Sequence, residues 1–313
     1  MRAARLHGLR DLRVEEMPDP EPAAGELLVR VEACGVCPTD VRKYLIGVND
    51  GDYPFNPGHE WLGRIEQVGP GVTGWTVGQR VYGDTYAGYA ELAVISATPG
   101  GWSHGPLALS DELPAEQAIF VEPFADCLHA VGDQGRVTSG SRVIVVGGGQ
   151  MGLQIVVAAH LAEAHVTLVE PVDERRAIAT ALGADRCVAD LSELDEQADA
   201  VILTIGVGAL VSTAVERTAP GGTVVLFAGF GDRPRAEIDL NLLHYREIAI
   251  VGSEWIGTPP NQRYARYTEA RDLLASGAVD LAPLVTGRCP LDGLDDVFAD
   301  VQALRGLKVM LVP

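Results

Sequence analysis

The sequence predicts an α/β chain in two parts, a β-rich part and a doubly wound parallel sheet. Three observations carry this. Residues 1–100 hold short apolar strand candidates set off by Gly and Pro. From about Ile119 the pattern changes to strand–helix alternation, as in parallel β–α units. After about Thr258 the texture reverts, so the tail is expected to rejoin the first part. The 313 residues suit two ordinary domains.

In chain order, the Pro-rich stretch Pro18–Pro22 leads into a mostly apolar strand over Gly25–Glu32. Leu62–Val68, Arg80–Tyr82 and Tyr89–Ile95 are further short strands. Arg142–Val146 is a continuous apolar run, the pattern of a parallel strand buried on both faces. Met151–Glu163 reads as an apolar helix, His165–Glu170 as the second strand, and Glu174–Leu182 as an amphipathic helix. Ala198–Ile205, Thr223–Ala228 and Ile248–Gly252 complete the buried strands. Gln262–Gly277 reads as a helix, followed by short strands and one more helix.

Composition excludes several function classes. Lys and Arg number 24 against 43 Asp and Glu, a formal net charge of -19. Such a chain repels nucleic-acid phosphates and anionic membrane surfaces. No apolar run approaches the ~18 residues of a membrane span, and the charged N-terminus has no signal-peptide core. A cytoplasmic location is expected. The cysteines, at 34, 37, 127, 187 and 289, are an odd and scattered set, which disfavours a disulfide framework.

Gly147, Gly149 and Gly152 form Gly-x-Gly-x-x-Gly directly after the first buried strand, with Gln150 and Met151 between them. These glycines allow a tight turn, a close backbone approach to a pyrophosphate, and close helix–strand packing. The helix N-terminus then offers free N–H groups to the phosphates. Glu170 closes the second strand 18 residues past Gly152, near the spacing of a ribose-binding acid. A carboxylate there accepts from both ribose hydroxyls and repels a 2′-phosphate, so NAD is expected over NADP. Arg175 and Arg176, one turn into the next helix, act against that preference. The part is read as a Rossmann dinucleotide-binding domain.

Two segments of the β-rich part carry metal chemistry: Cys34-Gly-Val-Cys37-Pro-Thr39-Asp40 and Gly58-His59-Glu60-x-x-Gly63. Cys37, His59 and Glu60 offer a thiolate, an imidazole and a carboxylate, the donor types a catalytic zinc takes. Val121-Glu122-Pro123 supplies another carboxylate near the change of pattern. Taken singly, each has an ordinary reading as a buried thiol or a satisfied turn residue. Trp255, Tyr264 and Tyr267 follow a strand end and are candidates for lining a pocket, though such residues more often serve packing. Lys43 is either a surface lysine or a binder of a substrate hydroxyl or carboxylate.

Together the segments resemble the zinc-dependent medium-chain alcohol dehydrogenase/reductase family. Gly58-His59-Glu60-x2-Gly63-x5-Gly69-x2-Val72 has the spacing of that family's zinc signature. Val121-Glu122-Pro123 and the ending Lys308-Val-Met-Leu are similar to the polyol (sorbitol-like) and threonine dehydrogenase branches. The resemblance implies a GroES-like catalytic domain over 1–118 and 259–313 and an NAD-binding domain over 119–258. It implies catalytic zinc on Cys37, His59 and Glu122, with Glu60 a direct or alternate ligand. It implies that Asp40 orients His59, that Thr39 hydrogen-bonds the substrate oxygen, and that Gly147, Gly149, Gly152, Glu170 and Arg175 bind the dinucleotide. Relatives with a structural zinc carry four close cysteines after the strand at Val81; here Arg80–Asp84 runs almost directly into Tyr86, so one zinc per chain is expected. Position 42 is Arg where many relatives place the His that ends a proton relay; Arg42 is expected either to contact cofactor phosphate or to be an exposed helix residue. A homodimer or homotetramer is implied, formed through an edge strand near Ile248–Gly252. The expected reaction is hydride transfer between a secondary alcohol (polyol, sugar alcohol or cyclitol) and NAD. The alternatives are a zinc-free NADPH-dependent quinone or alkene reductase and a non-catalytic dinucleotide-binding protein.

Overall fold

The computed structural model describes residues 1–47, 53–99, 103, 105–230 and 234–313. The chain divides into two compact units, Met1–Glu122 with Pro260–Pro313, and Pro123–Pro259. No helix among the described residues is long and apolar enough to cross a membrane.

The first unit opens with a hairpin, β1 (Arg2–Gly8) and β2 (Asp11–Glu16), which the sequence reading did not anticipate. Its main sheet has the order β14-β15-β3-β4-β5-β7, with β6 also paired to β3. The strands are β3 (Glu26–Gly35), β4 (Glu60–Val68), β5 (Arg80–Gly83), β6 (Leu92–Ser96), β7 (Leu107–Ala108), β14 (Val285–Cys289) and β15 (Lys308–Leu311). β3 lies inside the sheet. The first half of β3 pairs with β6, its end pairs with β15, and β4 runs along its other side. That is why its apolar residues are buried in a nearly continuous run rather than an alternating one.

The same pairing sets the site. Gly35 at the end of β3 lies opposite Glu60 at the start of β4 and opposite Met310 of β15. Immediately after β3 the chain turns into α1 (Pro38–Ile46), with Cys37 at its N-cap and Pro38 at its first position, where a missing N–H costs nothing. The rest of the unit's helices are α2 (Ala115–Ala118), α8 (Pro260–Ala275) and α9 (Leu294–Gln302). α9 packs Leu294, Val297 and Phe298 into the core formed with Val29, Val31, Val41 and Trp61.

The second unit is a six-stranded parallel sheet of order β10-β9-β8-β11-β12-β13. Its strands are β8 (Arg142–Val146), β9 (His165–Val169), β10 (Arg186–Val188), β11 (Ala198–Leu203), β12 (Thr218–Leu226) and β13 (Ala249–Gly252). In chain order that is 3-2-1-4-5-6, the doubly wound arrangement whose switch point lies at the end of the first strand. α3 (Val121–Leu128), α4 (Gln150–Leu161), α5 (Asp173–Ala181), α6 (Ala209–Glu216) and α7 (Leu240–Arg246) follow in the chain. α3 continues into a π-helical turn, His129–Gln134. There His129 stacks on Trp255 with ring centroids 4.3 Å apart, and the indole N–H donates to Asp126. Trp255 is thus a packing residue of this unit. Tyr267 is buried in the other, whereas Tyr264 is exposed.

Candidate active site

Cys37, His59 and Glu60 come together: one donor atom from each lies within 4.8 Å of the others. The reason is topological. The end of β3 and the start of β4 are neighbours, so the turn after one strand and the residues opening the other meet at the same end of the sheet. The thiol of Cys37 hydrogen-bonds His59.

Asp40, fully buried, sits under His59. Its Oδ2 is 3.3 Å from the imidazole Nδ1, an ion-pair distance without hydrogen-bond alignment. Its Oδ1 accepts the backbone N–H of Gly58 at 3.0 Å, and its Oδ2 accepts the hydroxyl of Tyr89 at 3.1 Å. Burial, the strongest influence, pushes the carboxyl up, but the charge of His59 and these donors hold it below the usual carboxylate range. Burial likewise opposes protonation of His59, yet Asp40 and Cys37 together raise it well above its ordinary value. The Cys37 thiol is pushed up, chiefly by burial. A thiol, an imidazole and a carboxylate brought this close are donor types that suit zinc.

Glu60 is held from behind. It is 1% exposed on its side chain, and its Oε2 accepts a charge-assisted hydrogen bond from Lys308, whose side chain is fully buried. The charges of Glu60 and Cys37 outweigh burial and keep the Lys308 ammonium protonated. The pair crosses over Gly35: a Cβ there would land on Glu60 Oε2 and within 2.8 Å of Lys308 Cε. The Lys308 ammonium also lies 6.0 Å from the Phe120 ring centroid. This partnership was missed in the sequence, although both residues lie in family-like motifs, because 248 positions separate them.

Glu122 is half-buried, and its backbone N–H lies 3.4 Å from the Tyr82 hydroxyl. It is not part of the three-residue cluster. Thr39 is exposed at the start of α1 and Arg42 is exposed further along it. Tyr86, not anticipated from the sequence, lies over His59 with ring centroids 4.9 Å apart, and burial pushes its phenol up to about 12.

In the second unit the glycine loop joins β8 to α4. Gly147 has φ +102°, a conformation that favours Gly. A Cβ at Gly152 would land on the carbonyl oxygen of Gly147, while a Cβ at Gly149 would meet nothing within 4 Å. The space at Gly149 is the room a pyrophosphate needs. Gln150 is buried, and neither polar atom of its amide has a partner among the described residues. Glu170 is also buried: its Oε2 accepts the Gly148 N–H at 2.6 Å and its Oε1 the Val172 N–H at 3.0 Å. Arg176 donates to the Glu170 carbonyl at 2.6 Å and pairs with Asp173. Arg175 lies half-buried on α5.

A doubly wound sheet with an open glycine loop, together with a thiol–imidazole–carboxylate cluster, defines the class: a metal-binding, dinucleotide-binding oxidoreductase. Residues 23–108 match the alcohol dehydrogenase GroES-like domain, and residues 149–276 match the zinc-binding dehydrogenase family. Sorbitol dehydrogenase of Macaca fascicularis is 30% identical over 349 aligned residues, covering 98% of this chain and 94% of its own. 2-Dehydro-3-deoxy-L-galactonate 5-dehydrogenase of Pseudoalteromonas atlantica is 29% identical over 346 residues, covering 99% and 98%. A solved zinc-binding dehydrogenase from Sinorhizobium meliloti, bound to NADP, matches with a TM-score of 0.88 and 27% identity over 100% of this chain and 99% of its own. The chain belongs to the zinc-dependent medium-chain alcohol dehydrogenase/reductase family, in its polyol dehydrogenase branch.

Proposed function

We propose that this protein is a zinc-dependent dehydrogenase that moves a hydride between a secondary alcohol of the polyol class and NAD. The observation that carries it is the Cys37–His59–Glu60 cluster, set at one end of the first unit's sheet. In this reading Cys37, His59 and Glu122 hold one zinc per chain, with Glu60 as the alternate carboxylate. When bound, zinc supplies Lewis acidity that lowers the alcohol's pKa, and NAD supplies the hydride acceptor.

The chain's own residues do the rest. Thr39 accepts the hydrogen of the substrate hydroxyl at its Oγ. Asp40 holds the Nδ1 side of His59, which leaves Nε2 for the metal. Lys308 holds Glu60 in place and offsets its charge. In the second unit the open face at Gly149, the amide of Gln150, the backbone at Met151 and the N-terminus of α4 receive the dinucleotide phosphates. Arg175 assists at the adenosine end.

NAD is favoured because Glu170 fixes a carboxylate beside the loop, and that carboxylate repels a 2′-phosphate. Arg176, which would welcome such a phosphate, is engaged with Asp173 and the Glu170 carbonyl. The zinc-free NADPH-dependent reductase has no need of the metal donor set, and neither has a binding module. The names of the relatives span a neutral polyol and a sugar acid, so the residues around the site decide the substrate's charge.

The test is metal content per chain on protein purified without a chelating tag, with NAD and NADP titrated on the same sample and a polyol and cyclitol panel assayed. About one zinc per chain and tighter NAD binding are expected. Absence of zinc, or a clear preference for NADP, overturns the reading.

A further inference from the structure

α1 places Lys43 one helical turn beyond Thr39, on the same helix face. Its ammonium lies 4.9 Å from the Tyr86 ring centroid and 5.4 Å from that of Phe55. These are cation–π distances. The two rings meet each other at 5.1 Å, and Tyr86 in turn meets His59 at 4.9 Å. A single aromatic ring therefore separates a lysine ammonium from a residue of the metal cluster.

The clamp is built rather than draped. Phe55 exchanges both backbone hydrogen bonds with Leu6 of β1, each 2.8 Å. Tyr86 sits between Phe55 and His59 and still has 39% of its surface exposed. Among the described residues no carboxylate forms an ion pair with Lys43, and its ammonium lies over the two ring faces. The molecule as a whole is strongly acidic, with a net charge of -19. An anion approaching such a surface is repelled unless a fixed cation meets it.

We infer that Lys43, clamped between Phe55 and Tyr86, selects a substrate that carries an anionic group, a carboxylate or a phosphate, a few bonds from the reacting carbinol. The inference rests on the dehydrogenase reading above and adds the substrate's charge to it. The alcohol oxygen lies by Thr39 and the metal donors, and the anion reaches forward along α1 to the ammonium. A lysine ammonium is a compact point charge with three donors, so it meets either anion without demanding a planar fork. The aromatic faces alongside suit the C–H surface of the carbon chain between the two groups.

The test uses zinc-loaded protein and three compounds of one chain length: sorbitol, gluconate and sorbitol 6-phosphate. Binding of each to the NADH complex is measured by calorimetry, and turnover with NAD and with NADP is measured in parallel, for wild type, Lys43→Met and Lys43→Arg. At least one anion is expected to bind tighter than sorbitol by about tenfold or more, as a half-buried charge-assisted contact allows. The Met variant is expected to lower the anion-to-sorbitol affinity ratio by about tenfold, through KM rather than kcat, and Arg to restore most of it. The preference should also weaken as salt is added. Whichever anion shows the Lys43-dependent gain identifies the carboxylate or the phosphate. Equal affinity for sorbitol and both anions, or a ratio unmoved in the Met variant, overturns the inference. Lys43-dependent anion binding with no alcohol oxidised by either nucleotide would instead overturn the dehydrogenase reading and leave an anion site.

Discussion

The fold raises the proton affinity of both His59 and Cys37, so zinc, which binds their deprotonated forms, competes with protons there. Burial opposes the charge on His59, but Asp40 and Cys37 raise it well above its ordinary value. The Cys37 thiol is raised by burial. Acid therefore favours the empty site and alkali the loaded one. Titrating zinc in buffers of different ionisation enthalpy should show net proton release on binding, and affinity should rise with pH. A binding isotherm independent of pH would contradict this. Behind the donors, Lys308→Met removes the partner of a buried carboxylate. Urea unfolding of the metal-free variant should show a loss of about 3–5 kcal/mol, the cost of stranding a buried charge. Gly35→Ala attacks the same pair from the backbone, because a methyl group there falls on Glu60 Oε2; the two variants should affect zinc affinity in the same direction.

The glycine loop separates two roles at the scale of an element. Gly152 packs α4 against the turn, and a Cβ there meets the Gly147 carbonyl. Gly149 has an ordinary extended conformation and open space before it. Gly149→Ala should therefore fold with stability within about 1 kcal/mol of wild type and yet lose dinucleotide affinity by about tenfold or more, because the methyl group occupies the phosphate's place. Gly152→Ala should lose both. Thermal melts with and without NAD distinguish the pair: only Gly149→Ala keeps its apo melting temperature while losing the NAD-induced rise.

For the whole molecule, the parallel sheet ends at β13, whose far side has no strand paired to it among the described residues. An unpaired apolar edge is a template for another chain. The proposed homo-oligomer uses that edge about a two-fold axis. Light scattering should give a mass of at least two chains, and Ile250→Lys, which places a charge on the edge strand, should shift the mass toward one. A monomeric wild type would remove this proposal.

The class of fold was legible along the chain, because hydrophobic period and glycine placement are local quantities. The apolar run Arg142–Val146 can only be a strand buried on both faces when helices follow it, and the glycines at 147, 149 and 152 fix the turn that comes next. The donor types Cys37, His59 and Glu60 were legible for the same reason, since they sit in short motifs. Element ends shifted by a few residues: Tyr89–Ile95 became Leu92–Ser96, and Thr223–Ala228 began at Thr218. The N-terminal hairpin carried no turn signal strong enough to mark it. Which side chains stand beside one another depends on how the strands are ordered and crossed. Lys308 meets Glu60 because β15 and β4 flank the same strand and Gly35 leaves room between them. Trp255 went to packing on His129, and Tyr86 and Phe55 came to frame Lys43 beside the metal donors. Such contacts come from strand register and chain crossings summed over the whole sheet, and no window of sequence contains them.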